Sequence, residues 1–191
     1  MNKIVFVIFV LQMTLVYKVI QEYAPTGQVF KIPLLDDNIP FVPIFVIPYF
    51  LFAVSLFLPF VLTWRDNKKF LALSIVFLTA ATLCNVIYVL FQTSIVRPEI
   101  LPSSIFNRLI LFVYSIDAPV NLFPSGHVTF SVLSNLCLIK INKKVAMFFA
   151  PITLGIVLST LFIKQHHSPD VLAGLILALL GYQLFRRLLR K

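Results

Sequence analysis

Charged side chains are scarce in this chain. They make up 12% of its 191 residues, where an ordinary soluble domain has about a quarter. Hydrophobic residues reach 60%. So little charge cannot cover a surface in water. The composition predicts a single integral membrane domain, residues 1–191, built as an all-α helical bundle in lipid. Cysteine is almost missing as well. Cys84 and Cys137 both lie inside apolar runs, which reads as two small core residues and not as a disulfide, and no cysteine spacing of a metal site occurs. The chain shows no internal repeat at solenoid periods and no GxxxG pair of a dimer face.

What the chain does have is an excess of base, a net charge of +9. This is not the footprint of a nucleic-acid binder. Binding a phosphate backbone needs a continuous cationic surface with interleaved aromatics, and here the basic residues sit in short links between apolar runs. That placement is a topology signal.

A helix needs about 20 apolar residues to cross a bilayer. Six segments come near this: Ile4–Ile20, Phe41–Trp64, Phe70–Phe91, Gly126–Ile141, Val145–Ile163 and Pro169–Leu189. The first is short and carries Gln12 and Lys18. A basic start also allows it to be a cleaved signal peptide, although no small-x-small site follows. A seventh stretch, Ile105–Ile116, spans only about 18 Å as a helix and is expected to be re-entrant or interfacial. With six spans, one set of links holds eleven basic residues, from Lys3, Arg65, Lys68, Lys69, Lys140, Lys143 and Lys144 to Arg186, Arg187, Arg190 and Lys191. The other set holds five: Lys18, Lys31, Arg97, Arg108 and Lys164. The excess marks the cytoplasmic side, so both termini are expected in the cytoplasm of a multi-pass cell-membrane protein.

Three polar clusters interrupt the oil, and this topology brings all three to the outer face. A polar group beside hydrocarbon is costly and is kept mainly where it acts. In Pro124-Ser125-Gly126-His127, Ser125 suits an N-cap and Gly126 allows close backbone approach. The helix N-terminus suits phosphate, and His127 stands ready to protonate a leaving oxygen. In His166-His167-Ser168-Pro169-Asp170, Ser168, Pro169 and Asp170 suit the start of a helix. Asp170 can orient His166 for attack, whereas His167 reads as an interfacial bystander. Arg97-Pro98 supplies a guanidinium fork for phosphate or a snorkelling side chain. Lys164 either pairs with phosphate or marks the boundary. Asp36-Asp37-Asn38 is expected to cap the second span, and Asp117 and Asn121 to shape a turn or the pocket.

Together these residues resemble the type-2 phosphatidic acid phosphatase superfamily. Its pattern is Lys-x6-Arg-Pro, then Pro-Ser-Gly-His, then Ser-Arg-x5-His-x3-Asp. The matching residues are Arg97-Pro98, Pro124 to His127, Ser159, His166 and Asp170, within a resemblance running from about Phe70 to Gly174. Two positions depart from it: Leu90 stands where the family has lysine and Thr160 where it has arginine. The resemblance implies that His166 is the nucleophile, Asp170 its orienting acid and His127 the general acid and base. It implies that Arg97, Ser125, Gly126 and Lys164 hold the phosphate, with no metal and no cofactor. A zinc set of His127, His166 and Asp170 is the alternative.

The expected function is therefore a lipid phosphatase acting on phosphatidic acid, phosphatidylglycerol phosphate or polyprenyl diphosphate at the extracytoplasmic face. The two departures keep open a head-group phosphotransferase using the same histidines. A non-catalytic lipid binder or small transporter is the reading from another class, disfavoured because no inverted repeat is present.

Overall fold

The computed structural model describes residues 2–23 and 27–190. They form eight helices: α1 Lys3–Tyr23, α2 Pro33–Asp36, α3 Pro43–Leu62, α4 Asn67–Leu90, α5 Ile105–Ile116, α6 Gly126–Ile141, α7 Lys143–Phe162 and α8 Ser168–Arg190. Among the described residues the fold is all-α apart from a two-residue parallel pairing of β1, Gln28–Val29, with β2, Thr93–Ser94, and a single antiparallel bridge between Ser94 and Val120. Helix starts follow the local chemistry of the chain. Asp66, Ser104, Ser125 and Asn142 each accept a hydrogen bond from a backbone N–H of the first turn, opening α4, α5, α6 and α7.

Five helices, α1, α3, α4, α7 and α8, are long and apolar enough to cross a membrane. Two apolar helices are shorter, α5 with 12 residues and α6 with 16. The six-span expectation is thus reduced to five spans of full length. At about 1.5 Å per residue, α6 covers roughly 24 Å, short of a hydrocarbon slab of about 30 Å. Its place in the bundle explains the shortfall. It packs against α3, α7 and α8, and eight of its residues are buried, so little of it meets lipid.

The outer helices show the reverse pattern. Ile4, Leu15, Val61, Phe148 and Leu172 are all exposed on the bundle's outside. In lipid such side chains need no cover, since the solvent is as apolar as they are; helices associate instead through close packing and buried polar contacts. Ser134 of α6 accordingly donates to the Leu56 carbonyl of α3 at 3.4 Å.

The core has two parts. The larger joins Phe9, Phe60, Phe70, Phe77, Phe130 and Phe185 from α1, α3, α4, α6 and α8. The smaller joins Val46, Tyr49, Ile110, Val113 and Ile163 from α3, α5 and the end of α7. The Lys3 ammonium lies 3.8 Å from the centroid of the Trp64 ring. This puts the start of α1 beside the α3–α4 link, and helix direction sends Lys140 and Arg186 to the same end.

One expected cap is made elsewhere. Asp36 does not open the second span; it accepts from Ile32 N at 2.7 Å and from Ser168 N and Oγ at 2.7 and 2.9 Å. Sequence distance hid this, because Ser168 follows 132 residues later.

Candidate active site

At the end of the bundle opposite Trp64 lies a cavity of about 360 Å³. Its walls are mostly apolar, from Met13, Phe52, Ala81, Val113 and Phe130, and its polar end carries His127, Gln165, His166 and Asp117.

Each polar side chain is positioned by a local feature. Ser125, fully buried, accepts from Val128 N at 3.3 Å and caps α6, which sets His127 in its first turn. The Tyr88 hydroxyl donates to the Pro124 carbonyl at 2.8 Å and ties the α6 start to the end of α4. Helix α8 is drawn in by a backbone bond, Ser125 N to Asp170 O at 2.9 Å. Gly174 permits that approach: a Cβ there would stand 2.8 Å from Ser125 O and 3.0 Å from Val128 Cβ. Helix α7 ends in a turn at Lys164, whose φ of 52° is left-handed. There Gln165 N and His166 N both donate to Thr160 O at 2.9 Å, which folds the chain back toward the bundle.

The two histidine rings meet across the cavity, 5.9 Å apart between centroids at 62°. His127 is also flanked by Tyr49 at 4.6 Å and Phe52 at 4.5 Å, so its ring is held on two further sides. His166 is 6% exposed, with Nδ1 3.4 Å from Asp170 Oδ2 and Nε2 left on the far side of the ring. Asp170 Oδ2 also accepts from His167 N at 2.9 Å, and Oδ1 is buried without a partner.

Of the seven residues singled out from sequence, His127, His166 and Gly126 line the cavity. Asp170 stands behind His166, and Ser125 lies beneath the α6 start as its cap. Arg97 stands behind Gln165: Nη2 donates to Gln165 Oε1, Nη1 to Tyr114 O at 3.3 Å, and the guanidinium lies 4.2 Å from the Tyr114 ring centroid. Burial pulls Arg97 below its ordinary pKa, and Asp117 is the strongest effect in the other direction. Lys164 is not brought to the cavity; its ammonium donates to Ile39 O at 2.6 Å. Thr160 turns its hydroxyl back to Val157 O at 2.7 Å, and Leu90 faces outward, 79% exposed. Among the described residues, no group of three or more His, Cys, Asp or Glu side chains is arranged to hold a metal ion.

Sequence reasoning passed over Gln165, Tyr17 and Tyr49. Gln165 Nε2 is buried and unpartnered, next to His166. Its adjacency to His166 was the one available signal. The tyrosines sit inside apolar runs and gave none.

A helical bundle with five helices long and apolar enough for a bilayer is that of a multi-pass membrane protein, and its mostly apolar cavity is lined at one end by two histidines. Residues 101–191 match the PAP2 superfamily. Members of this superfamily are generally metal-independent phosphatases. The match begins after Arg97, so helices α1 to α4 lie outside it. No curated protein and no solved structure matches the chain.

Proposed function

We propose that the protein is a membrane lipid phosphatase working through a phosphohistidine. The observation that carries this is the 5.9 Å approach of the His127 and His166 rings at the polar end of an otherwise apolar cavity. His166, with its Nδ1 proton facing Asp170, attacks phosphorus through Nε2. The P–N bond forms as the ester P–O bond breaks, and His127 gives its proton to the departing alcohol oxygen. Water then attacks the phosphohistidine, His127 takes the water proton, and the P–N bond breaks to release phosphate. The first-turn N–H groups at Gly126 and His127 have no intrahelical acceptor and suit the equatorial oxygens. Arg97 holds Gln165 through Oε1, which leaves the Gln165 Nε2 donors for phosphate and adds a fixed positive charge behind them. Ser125 serves as the cap that aims this turn, and Lys164 as the residue of the α7 terminal turn.

The apolar walls favour a substrate whose tail stays in hydrocarbon while its phosphate enters between the histidines. We place both termini in the cytoplasm, count α6 as a sixth, shortened span, and put the cavity at the extracytoplasmic face. The basic residues at the Trp64 end support that orientation.

Purified full-length protein in detergent is expected to release phosphate from phosphatidic acid, phosphatidylglycerol phosphate or polyprenyl diphosphate without added divalent metal and in the presence of EDTA. His166→Ala is expected to abolish release; an unaltered rate would end the proposal. A second reading, transfer to a lipid alcohol, is favoured by one observation: with Leu90, Thr160 and Lys164 all directed elsewhere, Arg97 is left as the guanidinium behind a mostly apolar cavity. New phospholipid in mass spectra after adding lipid alcohols would support it; free phosphate with every alcohol tried would count against it.

A further inference from the structure

Asp117 is a wall of the same cavity as His127 and His166, and nothing in the mechanism above uses it. It follows α5 and is held by two other helices. Tyr17 and Gln21 of α1 donate to Oδ1 at 2.9 and 3.0 Å, and Tyr49 of α3 donates to Oδ2 at 3.4 Å. Tyr49 in turn packs its tilted ring against His127, so one side chain links the carboxylate to the imidazole.

All three hydrogen-bond partners are neutral, and the nearby cation Arg97 acts on the carboxylate only through its charge while its Nη1 and Nη2 donate to Tyr114 O and Gln165 Oε1. A carboxylate offers about four acceptor positions, and three are filled. One remains for a group in the cavity. The nearby ammonium of Lys18 is committed to Gln21 Oε1 at 2.7 Å and to the Ile116 carbonyl. A clasp between α1 and α5 could be made by any neutral acceptor. A charge in a mostly apolar cavity is costly and is kept where it acts. Its chemistry matters too, because an acceptor beside the phosphate favours a substrate that brings a hydrogen-bond donor to it.

We propose that Asp117 reads a hydroxyl on the alcohol side of the lipid phosphate, near the ester oxygen, and selects against lipid phosphates that lack one. The inference rests on the phosphoryl-transfer reading of the histidine pair. The substrate class it names is a lipid phosphate whose alcohol keeps a free hydroxyl, such as a glycerol unit. A site built to bond a hydroxyl rejects the analogue without it far more strongly than an apolar pocket rejects a missing methylene.

The test compares 1-oleoyl lysophosphatidic acid with its 2-deoxy analogue, which differ by one hydroxyl. Wild-type protein is expected to prefer the hydroxylated lipid at least tenfold in kcat/KM. Asp117→Asn is expected to bring that ratio close to one, by lowering the first rate and raising the second. No preference in the wild type, a preference kept by the variant, or an equal fall on both lipids would overturn the proposal; the last outcome is that of a mere clasp. Tyr49→Phe keeps the ring against His127 and removes the one donor to Asp117 Oδ2. It is expected to reduce the preference about threefold, and it carries the test if Asp117→Asn does not fold. Equilibrium binding of both lipids to His166→Ala protein separates the two readings. Should the wild type release phosphate neither from these two lipids nor from phosphatidic acid, phosphatidylglycerol phosphate or polyprenyl diphosphate, the phosphatase reading falls, while a binding preference that Asp117→Asn removes sustains the inference. Equal binding of both lipids overturns it.

Discussion

The two ends of the bundle are held by different physics. At the Trp64 end, Phe6 lies between Phe60 and Phe70 at 4.8 and 5.4 Å, and Phe9, Phe60 and Phe77 continue the cluster inward. The rings pack among aliphatic side chains such as Leu56, Leu73 and Val76, and Thr63 satisfies itself by donating to Pro59 O at 2.7 Å. At the cavity end, order comes from directed bonds between distant segments: Asp36 to Ser168, Tyr88 to Pro124, Ser125 to Asp170, Tyr17 to Asp117. Aromatic packing tolerates a lost contact by settling. A directed polar bond beside hydrocarbon has no water to replace a lost partner, so its loss is felt at once. The dry end therefore supplies fold, and the bonded end supplies geometry.

That contrast can be broken in a graded way. The largest effect belongs to His166→Ala, expected to lower phosphate release by at least about a thousandfold with an unchanged thermal midpoint, because it removes the attacking atom and little packing. Gly174→Val comes next. Its branched side chain would overlap the Ser125 carbonyl and Val128, driving α8 from the α6 start, so kcat is expected to fall roughly a hundredfold. Asp36→Ala removes the acceptor of three donors, among them the start of α8. A lost cap costs on the order of 1 kcal/mol, and activity is expected to fall about tenfold in kcat as His166 loosens. Phe60→Ala sharpens the comparison from the other end. It is expected to cost about 3–5 kcal/mol in stability by thermal denaturation in detergent, with kcat within about threefold of wild type. The smallest effect is assigned to Lys164→Gly, which loses the ammonium and suits the left-handed turn; kcat within about threefold and an equal or higher midpoint are expected. A large loss there would show that the ammonium reaches substrate.

Much of the candidate site was legible, but unevenly. Pro124-Ser125-Gly126-His127 and Ser168-Pro169-Asp170 announced themselves because capping chemistry is local: a residue and its partner lie within one turn. The apolar runs were legible because their length is a property of neighbouring residues. Lys164 was misleading. Its charge and its place two residues before His166 suggested phosphate, but its left-handed backbone and the Ile39 carbonyl send the ammonium elsewhere. Asp117 was ambiguous, since its three donors sit at Tyr17, Gln21 and Tyr49, far away in sequence. Gln165 was overlooked because an uncharged amide carries no signal until its partner, Arg97, is known.

The sequence alone pointed to a chain that belongs in lipid, to helices as its elements, and to roughly where the long ones begin, because those properties depend on charge density, run length and first-turn capping. Only the tertiary structure decided that α6 is the short central helix, that Lys164 leaves the cavity, and that Asp117 joins it. Those outcomes depend on which helices lie side by side, and a contact between residues a hundred positions apart leaves no trace in either neighbourhood of the chain.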